Sequence, residues 1–106
     1  MAKNWIVIKE CDAPKGRVGV EIAHGIAIAH CDFQDTWTKK YYRRSLMLWA
    51  VVVEDVASHG FNEIYAPVMD EKQHQFISLF GFEKSDKAVK LEGLGIRPLY
   101  RYKIGD

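Results

Sequence analysis

Cysteine is scarce in this chain. Cys11 and Cys31 are the only two, too few and too far apart for a disulfide framework or a CxxC metal pair, so reduced free thiols are expected. Charge of one sign is also lacking. Fifteen Lys and Arg against fourteen Asp and Glu leave a formal charge of +1, so no whole-protein field draws a nucleic acid or a membrane surface. No long apolar run occurs: the uncharged stretch Ser45–Val53 is too short to cross a bilayer. The opening MAKNWIVIKE has no extended apolar core of a secretion signal, and a cytoplasmic location is the expectation. The four histidines, His24, His30, His59 and His74, do not fall into a ligand spacing, so no metal site is expected. Repeats, linkers and low-complexity tracts are absent too, and 106 residues read as one domain, 1–106, with one core.

The periodicities that are present give an element order. Trp5–Ile8 is a β-rich run closed by the turn-forming cluster Asp12-Ala13-Pro14-Lys15-Gly16. Val18, Val20 and Ile22 alternate, and Ile26, Ile28 and His30 continue the alternation after His24-Gly25, the pattern of a hairpin. The small residues Gly19, Ala23, Ala27 and Ala29 are expected on the other face, under something closely packed. A helix over Val18–Ala29 is the competing reading, since Ala favours helices. Asp35 or Thr36 can cap a following helix, with Trp37, Tyr41, Leu48, Trp49, Val52, Val53 and Val56 as its buried stripe and Gly60 as its stop. The expectation is one helix over 37–57. A strand over Asn62–Val68, a short helix over Asp70–Leu79, a strand opening at Gly81-Phe82 and continuing through Lys87–Leu91, and a last strand over Leu99–Ile104 complete the order. Strand–helix–strand in the middle implies a right-handed crossover and a parallel pair within a mixed sheet. The fold class is α/β (α+β), a mixed sheet with helices on its faces.

Chemistry-bearing side chains are few. Lys39, Lys40, Arg43 and Arg44 crowd the start of the long helix, where the macrodipole favours anions rather than cations. That arrangement fits phosphate binding, and equally a solvated basic face. Interleaved Trp37, Tyr41 and Tyr42 would suit base stacking, but Trp37 and Tyr41 already serve the buried stripe, which counts against nucleic acid. Cys31 has no His and carboxylate at nucleophile spacing and reads as a small buried hydrophobe. Tyr65 reads as a strand-core aromatic.

From Val18 onward the element order resembles the Gcn5-related N-acetyltransferase (GNAT) fold, in the form of short, divergent bacteriophage-type members without the N-terminal helices. The resemblance implies a sheet splayed between the strands flanking the long helix. It also implies a phosphate-cradling loop where Lys40-Tyr41-Tyr42-Arg43-Arg44-Ser45 stands, with Arg43 in place of a glycine. Asp70 falls where the family has Asn, and Ile77 beside Phe76 where it has the Tyr acid. Acetyl-coenzyme A would be an exchangeable substrate, not a held prosthetic group. Ala29, Cys31, Lys39, Lys40, Arg43, Arg44, Ser45 and Asp70 would form its site. Backbone N–H groups around Ala29–Cys31 would polarise the carbonyl, His30 or Glu21 would be the base, and Tyr65 could replace the missing acid. The acceptor would be an amine of a protein or small molecule.

The eroded motif leaves a second reading open. The fold would then be a catalytically inactive module that binds, and inhibits, another protein, in the host cytoplasm if the chain is phage-encoded. Without the N-terminal helices an apolar, aromatic patch is expected to be covered by a second copy or by a host protein. Trp5 and Tyr41-Tyr42-Arg43-Arg44 are the candidate contact residues, with Trp37, Tyr100 and Tyr102 as further surplus aromatics.

Overall fold

The computed structural model describes residues 4–91 and 93–105; residues 1–3, 92 and 106, and with them the first residues of the N-terminal segment and both ends of the expected domain, lie outside the described part. The chain runs β1 (Asn4–Asp12), β2 (Lys15–Ala23), β3 (Ile26–Phe33), a 3-10 turn (Lys39–Tyr41), α1 (Tyr42–Ser58), β4 (Glu63–Pro67), α2 (Glu71–Ser78), β5 (Glu83–Leu91) and β6 (Gly95–Lys103). The strands form one sheet in the order β1-β2-β3-β4-β6-β5. All neighbours are antiparallel except β3 and β4, the pair joined through α1.

Local chemistry accounts for most of the boundaries. The β2–β3 turn is two residues long, with His24 at φ 54° and Gly25 at φ 78°, the left-handed pair that matches hairpin twist. The hairpin is therefore real, and the competing helix over 18–29 does not form. Its register corrects one expectation about faces. Val20 lies opposite Ala29 and Ile22 opposite Ala27, while Gly19 lies opposite His30. Ala27 and Ala29 thus share the face of Val18 and Val20, and Gly19 points the other way with Glu21, Ile28 and His30. Side chains alternate along each strand, but only pairing reveals which strand faces match.

The long helix is also shorter than its apolar stripe predicts. Asp35 and Thr36 do not cap it. The Asp35 carboxylate instead accepts from the backbone N–H of Lys15 at 2.9 Å, tying the segment after β3 back to the β1–β2 turn. Trp37 stands before the 3-10 turn, and its indole N–H donates to Ser45 Oγ at 2.9 Å. At the far end Gly60 takes φ 90° and its N–H bonds to Ala57, the left-handed stop that glycine supplies without strain.

The core lies between the sheet and α1. Val7, Val18, Val20, Ala27 and Ala29 from one half of the sheet, and Ile64, Ala66 and Tyr100 from the other, close on Val52 and Val56. Each large aliphatic buried here contributes roughly 1.5–3 kcal/mol. Lys9 and Asp55, 3.1 Å apart, add an exposed ion pair between β1 and α1, contributing at most about 1 kcal/mol. On the opposite face Ile28, Tyr65 and Leu99 are buried outside that core, the strand residues between its members.

Candidate functional site

The site begins where β3 and β4 part. Among the described residues Ile28 and Tyr65 are their one bridging pair, so toward their C-terminal ends the strands no longer pair. A parallel neighbour reached through a helix meets its partner late and briefly here, because β4 has only five residues. The opening leads into a cavity of about 220 Å³.

Aromatic side chains wall this cavity. Phe33 from β3, Trp49 from α1, Phe76 and Phe80 from α2 and its exit, and Phe82 before β5 all line it. Phe76 meets Trp37 edge-on at 4.9 Å between centroids and Phe80 at 5.2 Å, the T-shaped geometry that ring quadrupoles favour. Tyr42 secures the same corner, its hydroxyl donating to the Leu79 carbonyl at 3.1 Å. The polar points of the lining are Ser45, Gln73, His30 and Cys31. Ser45 is buried and already occupied by Trp37. Gln73 belongs to a reciprocal cap of α2: its backbone N–H donates to Asp70 Oδ1 at 2.8 Å, and its Oε1 accepts from the Met69 N–H at 2.7 Å. The Trp49 indole N–H is buried with no hydrogen-bond partner.

A second groove, of about 180 Å³, opens on the opposite face of β1–β3 and is lined by Trp5, Ile8, Arg17, Gly19 and Asp32. His30 and Cys31 border both spaces. Trp5 covers this face because Gly19 has no side chain: a Cβ there would stand 2.6 Å from the Trp5 ring. The ring edge meets His30 at 5.5 Å between centroids. Behind His30, Glu21 Oε1 lies 2.6 Å from Nε2. The Glu21 side chain is 13% exposed and that of His30 37%, so the carboxylate is the more deeply seated partner. An ionised carboxylate only accepts, so Nε2 carries the hydrogen, and in the neutral imidazole Nδ1 keeps the lone pair. Such a pair can orient an imidazole for proton transfer.

Cys31 is exposed rather than buried as its sequence context suggests, yet protein packed around the thiol desolvates it and pushes its pKa up to about 11. A thiol so protonated at neutral pH is a poor nucleophile, in keeping with the sequence expectation. Tyr65 does not line either space. Its hydroxyl donates to Glu63 Oε1 at 3.0 Å, and Arg101 stands 3.6 Å from the same carboxylate. Desolvation, then the bond to Glu63, raise its pKa, with Arg101 acting in the opposite sense. Tyr65 is thus a buried structural tyrosine on the groove-side face of the sheet.

The residues singled out from sequence therefore divide. Ala29, His30, Cys31 and Ser45 meet at the cavity, and Glu21 joins them through His30. Lys39, Lys40, Arg43 and Arg44 are exposed around the start of α1, and Lys40 lies over the Tyr41 ring at 5.0 Å. Asp70 is the N-cap of α2. The aromatic walls and Gln73 escaped the sequence reading. Their signal was the aromatic cluster Phe76, Phe80 and Phe82 at the end of the short helix and in the turn after it.

Among the described residues no group of three or more His, Cys, Asp and Glu could hold a metal ion, and no helix is long and apolar enough to cross a membrane. No protein-family model matches the chain, and neither a curated protein nor a solved structure is significantly similar to it. The fold defines a mixed α/β domain with one long central helix and one short one.

Proposed function

We propose that this chain binds acetyl-coenzyme A in the cleft between β3 and β4 and transfers the acetyl group to an amine, as a GNAT-type protein. One observation carries the reading: His30, hydrogen-bonded to Glu21, stands at the junction of the aromatic cleft and the second groove, which carries Arg17 and Asp32. The order of elements supports it, since the sheet opens between the strands that flank the long helix, as the family resemblance implies.

The residues present fit the ligand. A slender, largely apolar, amide-bearing arm suits an aromatic cleft with a few polar points such as Gln73. At the phosphate end, α1 begins with no side-chain cap and no acidic residue in its first turn. The Tyr42 N–H at its start already donates to the Lys39 carbonyl, so the exposed Lys39 and Lys40 beside it are the groups that would hold the phosphates. When bound, acetyl-coenzyme A supplies the activated carbonyl. Nδ1 of His30 would take a proton from the acceptor ammonium. The freed amine would attack the thioester carbonyl, and the C–S bond would break. The proton the amine loses on becoming an amide would pass to the departing coenzyme A thiolate. Glu21 holds the ring in the required tautomer. Beyond the Ile28–Tyr65 bridge, those backbone N–H groups of Ala29–Cys31 that turn away from β2 would be the donors to developing negative charge on the carbonyl oxygen.

A second reading has its own support. Phe76 and Ile77 line the cavity where the family resemblance would have an acid, so the cleft would bind without turnover and the protein would act on a protein partner. Thermal denaturation with increasing acetyl-coenzyme A tests the first step, since a ligand of the native state raises Tm by mass action. Release of free thiol in the presence of a primary amine tests the second. A rise in Tm with thiol release supports the enzyme. A rise without release leaves the binding module, and no rise at millimolar coenzyme overturns the cleft assignment.

A further inference from the structure

Buried and exposed sides of α1 are equally patterned. Ser45, Val52 and Val56 face the core. On the reverse side Arg44, Met47, Val51, Glu54 and Ser58 recur at alternating steps of three and four, and all are exposed. Met47 is 66% and Val51 45% accessible. Steps of three and four make a straight seam along a helix, the spacing by which one helix packs on another. Arg43, Ala50 and Ala57 flank the seam, also exposed, and the two alanines leave room for a close approach.

Charge along this seam runs against the helix itself. Arg43 and Arg44 stand in the first turn and Glu54 toward the end, with no acidic residue in the first turn and no basic one in the last. Cations at a helix N-terminus and acids toward its C-terminus are both unfavourable to the macrodipole. Among the described residues neither Arg44 nor Glu54 has an ion-pair partner. One occupant corrects all of this: the same helix running the other way.

We infer that α1 is the contact of a two-fold, antiparallel dimer with a second copy of this chain. With the axis at the level of Trp49, Arg44 meets Glu54 of the partner subunit and Met47 meets Val51 of the partner subunit, each contact made twice by symmetry. The antiparallel arrangement also brings each N-terminal cation cluster toward the partner's C-terminal dipole. A seam of this length is a small interface, so the dimer is weak, with Kd of about 10⁻⁵–10⁻⁴ M, the regime of contacts below standard size. The inference does not depend on the acyl-transfer reading, because the seam lies on the side of α1 away from the cleft.

Sedimentation equilibrium across loading concentration tests it with charge reversals. Wild type is expected to move from monomer to dimer. R44E alone sets like charges opposite each other at both symmetric positions and raises Kd at least about tenfold, and E54R does the same. An equimolar mixture of R44E and E54R restores dimerisation, as does the double variant R44E/E54R, because opposite charges again face each other. Both positions are exposed, so the variants keep their fold, checked by an unchanged far-UV spectrum. A wild type that stays monomeric at about 1 mM, well above the expected Kd, overturns the inference. So does a dimer that neither reversal weakens, or a mixture of variants that fails to reassociate.

Discussion

Nε2 of His30 lies 2.6 Å from Oε1 of Glu21, and the contact joins two strands of one hairpin. The pair sits diagonally across the β2–β3 ladder, where Glu21 faces Ile28 and His30 faces Gly19. Diagonal neighbours on one sheet face are within reach of long side chains, so a hairpin of this register brings a carboxylate to an imidazole. If His30 is the base of an acyl transfer, His30→Gln should lower the rate of thiol release by about 10²–10⁴-fold, the usual weight of general base catalysis. Coenzyme affinity should change little, since the imidazole acts on the acceptor. Glu21→Gln should reduce kcat less than His30→Gln does. Equal loss of binding and rate in His30→Gln would assign the residue to the ligand site instead.

The Cys31 thiol should be slow to react at neutral pH. Its pKa is raised by burial from 9.0 to about 11, and the unfolded chain ionises near the lower value. A group that keeps its proton longer in the folded state favours folding fully below the unfolded pKa, and that contribution is lost as pH rises through the folded one. Stability should therefore fall between pH 9 and about 11 more steeply in wild type than in Cys31→Ser. Thiolate absorbance should appear late in the folded protein, and an early titration would show that the thiol is not desolvated.

Two glycines of β2 should respond differently to alanine. At Gly16 a Cβ would stand 2.5 Å from the Asp32 carbonyl oxygen and 2.6 Å from Phe33 Cα. Backbone cannot yield there without breaking the β2–β3 pairing, so Gly16→Ala should cost about 3 kcal/mol or more, at the upper end of overpacking effects. At Gly19 the obstacle is the half-exposed Trp5 ring, which can swing outward. Gly19→Ala should cost about 1 kcal/mol and shift indole fluorescence to the red. Chemical denaturation and emission spectra check both.

Asp70 should matter as a cap, not as a ligand. Its carboxylate accepts from the Gln73 N–H at 2.8 Å, so Asp70→Ala should destabilise by about 0.5–2 kcal/mol while Asp70→Asn or Asp70→Ser keeps most of the stability. Any weakening of ligand binding in Asp70→Ala should be recovered in Asp70→Asn, since both effects pass through α2 and its cavity wall. A charge-dependent loss of affinity in the stable Asn variant would show direct contact.

Local signals determined the order of elements. Alternation named the hairpin arms, His24-Gly25 marked their turn, Gly60 ended α1, and Gly81-Phe82 opened the strand after α2. Each of these is decided within a few residues, largely by backbone sterics. The start of α1 departs from its apolar stripe because its partners lie farther away in sequence. Its apolar stripe could not show that Asp35 bonds Lys15 across the β1–β2 turn, or that Trp37 turns aside to Ser45.

Tertiary structure alone decided the site. Alternation tells which residues of a strand share a face, but not which face of the next strand they join, and only the pairing puts Ala27 and Ala29 on the face of Val18 and Val20. Pairing order and the brief β3–β4 contact create the cleft, and they depend on contacts distant in sequence. The meeting of Phe33, Trp49, Phe76, Phe80 and Phe82 around one cavity depends on them too. No periodicity records such contacts, because they arise only when separate elements compete to bury the same apolar surface.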